Sequence, residues 1–338
     1  MIIPFRLRRF LADRFVKYIH TPVIGYDYKK HVPVRKGKSR FLISKDSLRK
    51  VNNTALTFVI ITDADYYILA YEQIQTIFIV EPQSEVFLFD AGLRQDQKEQ
   101  LVLAFSTKIH FESFAIEKVM KDNSLKRNEA MFFYKIYAVS ITLSKTKNKY
   151  IVYSDAANVF LKPLNELKNY VQENGFYGGM TEMFGYDRIQ KYKQFRDCAE
   201  DLQVNIYNKN FLFIEGGFWM IDSSLTWVQS FLNEYIEVTK KHLGVFQIFP
   251  HDMVAMSLLL QKYAYKNKLN FQETPNIRFQ AILEKSKVME KNCIVFDYDT
   301  EKIPFFGYAV HNSSNHLDAP IKRKCSVYKA DIKEYIQK

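Results

Sequence analysis

Cysteine is scarce in this chain. There are three in 338 residues, Cys198, Cys293 and Cys325, and no two form a CxxC pair. That spacing argues against a disulfide framework and against a structural zinc site, and it suits a reducing, cytoplasmic setting. No apolar run reaches the roughly 18 residues that a membrane-crossing helix needs. The N-terminus lacks the uninterrupted apolar core of a secretory signal. No strand–turn–helix junction carries G-x-G-x-x-G, which removes the main argument for a dinucleotide-dependent oxidoreductase. Internal repeats and low-complexity tracts are missing too. Acidic side chains are nearly absent from the first 50 positions, which hold 3 Asp+Glu against 14 Lys+Arg. That segment alone accounts for the formal net charge of +11, so the rest of the chain is neutral.

What remains is a large aromatic and aliphatic content, with 28 Phe and 22 Tyr against 2 Trp, and 47% apolar residues overall. This is enough for a sizeable core in one large α/β domain. The basic arm, residues 1–53, reads as a helix followed by a connector. Leu7, Phe10, Leu11, Phe15, Tyr18 and Ile19 fall on one face over residues 4–19, with Arg6, Arg9 and Lys17 elsewhere. Such a helix suits an anionic membrane surface, or packing on the domain or a partner with its basic face solvated. Its aromatics form no stacking platform, so nucleic acid is not an expected partner.

From Thr54 the pattern alternates. LTFVIIT (56–62) is a buried-strand run, YILAYEQIQTIF a helix, EVFLFD (85–90) a strand and RQDQKEQLVLAF a helix. Residues 108–116 predict a short strand, Asn128–Leu143 an amphipathic helix, and Tyr150–Tyr153 another strand. Strand–helix alternation of this kind marks a doubly wound sheet. The second half differs. NELKNYVQE predicts a helix, Phe176–Gly179 a short strand, and 180–210 a long polar loop. FLFIEGGFWMID reads as a strand broken by Gly216-Gly217, which predicts a bulge or close backbone approach by a ligand. Helices follow at Ser224–Lys240 and after Pro250-His251-Asp252, then two short strands and a basic tail.

Asp155 is the residue of most interest. The run YIVY delivers it at a strand's carboxyl end, where open α/β sheets place ligand chemistry. Around it stand, in order, FVIITDADYY, VFLFDAGLRQDQ, IVYSDAANVFLKPL, EGGFWMIDSS, HDMVAMSLLLQ and VHNSSNHLDAPIK. This series, over residues 55–325, resembles the nucleotide-sugar glycosyltransferases of the GT-A fold, in the layout of the glycogenin and bacterial galactosyltransferase group.

The resemblance implies a Rossmann-like mixed sheet flanked by helices. It implies a nucleotide-binding half (54–165), an acceptor and catalytic half (166–325) and a tail (326–338). The activity implied is transfer of a sugar from a nucleotide-diphosphate sugar to a glycan or lipid-linked glycan hydroxyl; an inactive nucleotide-sugar or glycan binder is the alternative. Thr62, Asp63 and Asp65 fall where the family meets base and ribose, or else Asp63 and Asp65 cap a helix. Asp90 falls in a structural Asp-Gly turn. Asp252 falls beside the reacting sugar, and it or His251 could serve as base for an acceptor hydroxyl; Glu215, beside the glycine pair, could meet a sugar hydroxyl as a further catalytic candidate. Gly216 and Gly217 would let backbone approach donor or acceptor, and Glu182 could face the acceptor. The family's Asp-x-Asp motif holds a divalent metal, Mn or Mg, on the diphosphate. Here Asp155 takes the first position and Ala157 the second. Three readings stay open: Asp155 binds metal with Asn158 and His311; Asp155 binds donor hydroxyls while basic groups such as Lys322 hold the leaving phosphate; or activity has been lost.

Overall fold

The computed structural model describes residues 54–156, 158–160, 163–181, 189–207, 213–248 and 252–267, and strands at 16–27, 32–44, 293–296 and 305–307. In chain order the elements are β1 (Val16–Asp27), β2 (Val32–Ser44), β3 (Leu56–Thr62), α1 (Tyr67–Val80), β4 (Glu85–Asp90), α2 (Gln95–Phe105), β5 (Ile109–Ser113), α3 (Ile116–Asn123), α4 (Arg127–Leu143) and β6 (Tyr150–Ser154). They continue with β7 (Asn158–Phe160), α5 (Asn165–Asn174), β8 (Phe176–Thr181), α6 (Lys193–Asp201), β9 (Phe213–Asp222), α7 (Thr226–Lys241), α8 (Asp252–Asn267), β10 (Cys293–Phe296) and β11 (Phe305–Gly307).

Six strands form the central sheet in the order β5-β4-β3-β6-β9-β8. The first four are mutually parallel, β9 runs antiparallel to β6, and β8 antiparallel to β9. This is the mixed α/β sheet flanked by helices that the strand–helix alternation predicts. Burial on both faces explains the continuous apolar runs: all seven residues of β3 are buried. Alternate residues feed opposite layers. Val59, Ile61, Phe87, Phe89, Ile151 and Tyr153 pack with α4, α7 and α8, while Phe58, Ile60, Val86, Leu88 and Val152 pack with α1 and α5. Tyr153 stacks on Trp219 at 5.5 Å, joining β6 to β9.

Two sequence expectations need correction. Residues 16–27 are a strand, not the end of a helix, and pair antiparallel with β2 from Val16↔Ser44 to Asp27↔Val32. The connector expected over 20–50 therefore contains most of a long hairpin. Val16, Tyr18, Ile19, Val23, Ile24 and Tyr26 are β-branched or aromatic, and this composition together with a long pairing partner outweighs helical spacing. The stripe proposed for a membrane surface loses its last turn; residues 1–15 lie outside the described residues. The polar stretch 180–210 also holds a helix, α6, whose Phe195, Cys198 and Ala199 are buried. Its apolar residues are too few to stand out among so many polar ones.

Candidate active site

The four parallel strands end along one edge. The chain runs from β3 outward through β4 and β5, then returns to add β6 on the other side of β3. The crevice outside the carboxyl ends of β3 and β6 is therefore a topological switch point, where open α/β sheets bind ligands. Asp155 follows β6 directly.

The turn that carries Asp155 is locked. Buried Gln73 of α1 donates its Nε2 to Ser154 Oγ (2.6 Å) and to the Asp155 carbonyl (2.8 Å). Asn158, also buried, donates its Nδ2 to Ser154 Oγ (2.7 Å) and Gly217 O (3.0 Å). Asn158 N closes the turn onto Asp155 O, and Asp155 N donates to Gly217 O. Each net bond contributes about 1 kcal/mol, and together they fix the backbone from which the carboxylate projects.

The centre of the site is Lys135, on the buried face of α4. Its ammonium lies 3.1 Å from Asp155 Oδ1 and 3.1 Å from Asp252 Oδ2. It donates to the Gly216 carbonyl at 3.1 Å, and sits over the rings of Phe132 and Tyr153. Burial is the strongest influence on Lys135 and would lower its pKa; the attraction of Asp155 and Asp252 together outweighs it and leaves the pKa raised. Tyr153 Oη donates to Asp155 Oδ1 at 2.8 Å. Burial, then the Asp155 charge, push this phenol well above its ordinary value, so it stays a donor. The result is one cation between two carboxylates, a cluster of net charge −1.

The two carboxylates differ in access. The Asp155 side chain is 30% exposed and that of Asp252 2%. Asp252 opens α8, where the helix dipole favours a negative charge by roughly 0.3–1 kcal/mol. Its backbone carbonyl accepts from the Tyr235 hydroxyl. Asp252, expected as a candidate base, is here turned inward onto Lys135.

The glycine pair has a specific cause. A Cβ on Gly216 would run into the carboxylate of Asp252, and one on Gly217 would lie 2.9 Å from Asp155 Oδ2. β9 is glycine here because two carboxylates press on it. The bulge expected at this pair is present: Gly178 pairs with Trp219 and Met180 with Ile214, so residues 215–218 of β9, the glycine pair among them, stand opposite one residue of β8; from Phe218 onward β9 pairs regularly with β6.

At the ends of β3 and β4 the expected base-binding residues are committed to structure. Thr62 is fully buried and its carbonyl accepts from Ala91 N. Asp63 Oδ1 accepts from the backbone N–H of Asp65 and of Tyr66, both at 3.1 Å, and its Oδ2 from Arg127 Nη2 at 2.9 Å. Asp65 is exposed in that turn. Asp90 is structural, as expected. Its carboxylate accepts from Gly92 N and Leu93 N and pairs with Lys98. Burial acts most strongly on it and upward, but Lys98 and the two amides together lower its pKa. Gly92, at φ +127°, supplies the left-handed backbone this turn needs.

His251, His311, Lys322, Ala157, Glu182 and the side chain of Glu215 lie outside the described residues. Of the set Asp155, Asn158 and His311, Asp155 is paired to an ammonium and Asn158 is buried with its amide spent on Ser154 and Gly217. Among the described residues no three His, Cys, Asp or Glu converge as metal ligands. Asp155 and Asn158, the two of that set that are described, do not by themselves make a divalent-cation site. Among the same residues, no helix is long and apolar enough to cross a membrane.

Lys135, Gln73, Tyr153 and Arg127 carry the site and its surroundings but were not singled out from the sequence. Lys135 did leave a signal: it is the only charged residue between Ala130 and Ile141.

No known protein family matches the chain, and no curated protein matches it at a significant level. Several solved structures are similar. The galactosyltransferase LgtC in complex with donor and acceptor sugar analogues is 9% identical, covering 80% of this chain and 95% of that one, with a TM-score of 0.46. The bifunctional glycosyltransferase WbbM is 13% identical, covering 79% and 48%, with a TM-score of 0.45. The mannosyltransferase Ktr4p from S. cerevisiae is 14% identical, covering 76% and 74%, with a TM-score of 0.44. What this chain does has to be argued from its own site.

Proposed function

We propose that this protein is a GT-A-type glycosyltransferase that moves a sugar from a nucleotide-diphosphate sugar to a hydroxyl of a glycan or lipid-linked glycan. The observation that carries the reading is the accessible carboxylate of Asp155, at the switch point and braced by Lys135, Asp252 and Tyr153. The ordered motifs from FVIITDADYY to VHNSSNHLDAPIK support it independently.

In transfer, the bond between the anomeric carbon and the diphosphate oxygen breaks, and the nucleotide leaves with the electron pair. The acceptor oxygen bonds to that carbon and loses its proton to a base. Positive charge builds on the sugar in the transition state, and a fixed carboxylate beside it stabilises that charge. Asp155 fills this role and accepts hydrogen bonds from donor hydroxyls through Oδ2, while Lys135 and Tyr153 hold Oδ1. Asp252 keeps Lys135 charged. His251 and Glu215 are the candidates for the base, and Lys322 for the leaving phosphate. No step is routed through a metal, because an ammonium already lies at hydrogen-bond distance from Asp155.

A second reading is a binder of the same ligands without turnover. It is favoured by Ala157 in place of the second motif carboxylate and by the inward turn of Asp252. A thermal-shift panel of UDP-, GDP- and CMP-sugars, with and without manganese, tests both. Stabilisation by one sugar nucleotide, unchanged by manganese, is expected; no shift with any would sink both readings. Slow donor hydrolysis, falling at least tenfold in Asp155→Asn, separates enzyme from binder.

A further inference from the structure

Helix α4 places a second cation at the crevice. Arg127, its first residue, sends Nη2 to Asp63 Oδ2 (2.9 Å) and to the Ala91 carbonyl (3.1 Å). It is thereby fixed across the carboxyl ends of β3 and β4. Yet the side chain stays 39% exposed, and among the described residues the one other carboxylate paired with it, Glu117, is 3.7 Å from Nη1 and itself 80% exposed. A guanidinium carries five N–H donors, and two buried acceptors take up only those of Nη2. Asp63 is buried and receives three bonds, and its carboxylate orients the arginine.

Position limits what Arg127 can meet. It lies eight residues before Lys135 on one helix, about 12 Å along the axis at 1.5 Å per residue. Lys135 touches Asp155, which takes the sugar end of the donor in the reading above. The diphosphate is bonded directly to that sugar, whereas the base lies beyond the ribose. A fixed group two helical turns away therefore meets the base end. Arginine only donates, and its fork is best met by a base edge with a carbonyl oxygen, which uracil, guanine and cytosine present; on adenine the acceptors N1 and N7 each stand beside the donating N6 amine, which opposes the fork.

We infer that Arg127 is the base-reading residue of the donor site, selecting nucleotides whose base carries an exocyclic carbonyl. The inference rests on the nucleotide-sugar reading and deepens it. The test is calorimetric titration of the full chain, and of Arg127→Gln and Arg127→Lys, with UDP, GDP, CDP and ADP; thermal melts establish that each variant is folded. In the unaltered protein the best carbonyl-bearing nucleotide should bind at least tenfold tighter than ADP. Arg127→Gln should lose about tenfold for that nucleotide and less than twofold for ADP. Arg127→Lys should not restore the preference, because an ammonium lacks the planar fork. Equal losses for that nucleotide and ADP, or a preference that survives both substitutions, would overturn the role of Arg127 alone. Binding of none of the four by the unaltered protein would overturn it together with the nucleotide-sugar reading.

Discussion

Replacing Lys135 by Met should be among the most damaging single changes in this fold. The two side chains are close in length, so the change removes a charge and opens little cavity. What it leaves are two carboxylates that had shared one ammonium at 3.1 Å. Asp155, 30% exposed, can turn toward water, and its loss is discounted accordingly. Asp252, 2% exposed, cannot. Removing one partner of a buried pair costs about 3–5 kcal/mol, because the other charge is stranded. Against a typical total of roughly 5–15 kcal/mol this is a large share of the stability. Urea denaturation at pH 8 reads it as a fall in midpoint at constant slope. Two controls separate the charge argument from generic damage. Without the ammonium, Asp252 should titrate above the ordinary carboxylate value of about 3.9. An acid whose folded pKa is raised is better tolerated as pH falls, so the deficit should be smaller at pH 5 than at pH 8. Adding Asp252→Asn to Lys135→Met should recover about 2 kcal/mol or more by removing the stranded charge. A deficit under about 1 kcal/mol at pH 8, or a double variant no more stable than the single one, would refute the reasoning.

Two further outcomes follow from the same cluster. Lys135 and Tyr153 both have raised pKa values in the fold, so the folded chain holds protons that the unfolded chain releases. Their contribution is complete below pH 10 and lost as pH climbs above it; the urea midpoint should fall from about pH 10 upward, and less steeply in Tyr153→Phe. Gly216→Ala should destabilise by about 1–3 kcal/mol and Gly217→Ala by less, because Asp252 is confined whereas Asp155 can swing outward. Equal costs, read from thermal melts, would mean that the carboxylates are not what keeps these positions glycine.

The sheet was legible because its strands are buried on both faces. β3, β4 and β6 are runs of Leu, Ile, Val, Phe and Tyr that no other element would absorb, and each ends close to its carboxylate. The N-terminal hairpin was not, because helical spacing over 4–19 is a local pattern while a strand is decided by a partner some twenty residues away. Among site residues, Asp155 and the glycine pair could be found from position alone. The reason for the glycines could not, since it depends on Asp252 arriving 36 residues later in the chain. Lys135 was hidden by its own helix. By spacing, Phe132, Ile136, Val139 and Leu143 fall on one apolar face of α4, and a lysine beside such a face is ordinarily one that reaches out to water. Here it cannot, and the reason lies in the carboxylates. Two acids brought within about 6 Å of each other, one of them buried, could not both stay ionised without a cation between them. A charged residue alone in twelve largely apolar positions is thus the sequence's trace of two others, and pairing it with the acids at the strand end of IVYSDAANVF and the helix start of HDMVAM is what would have found the site.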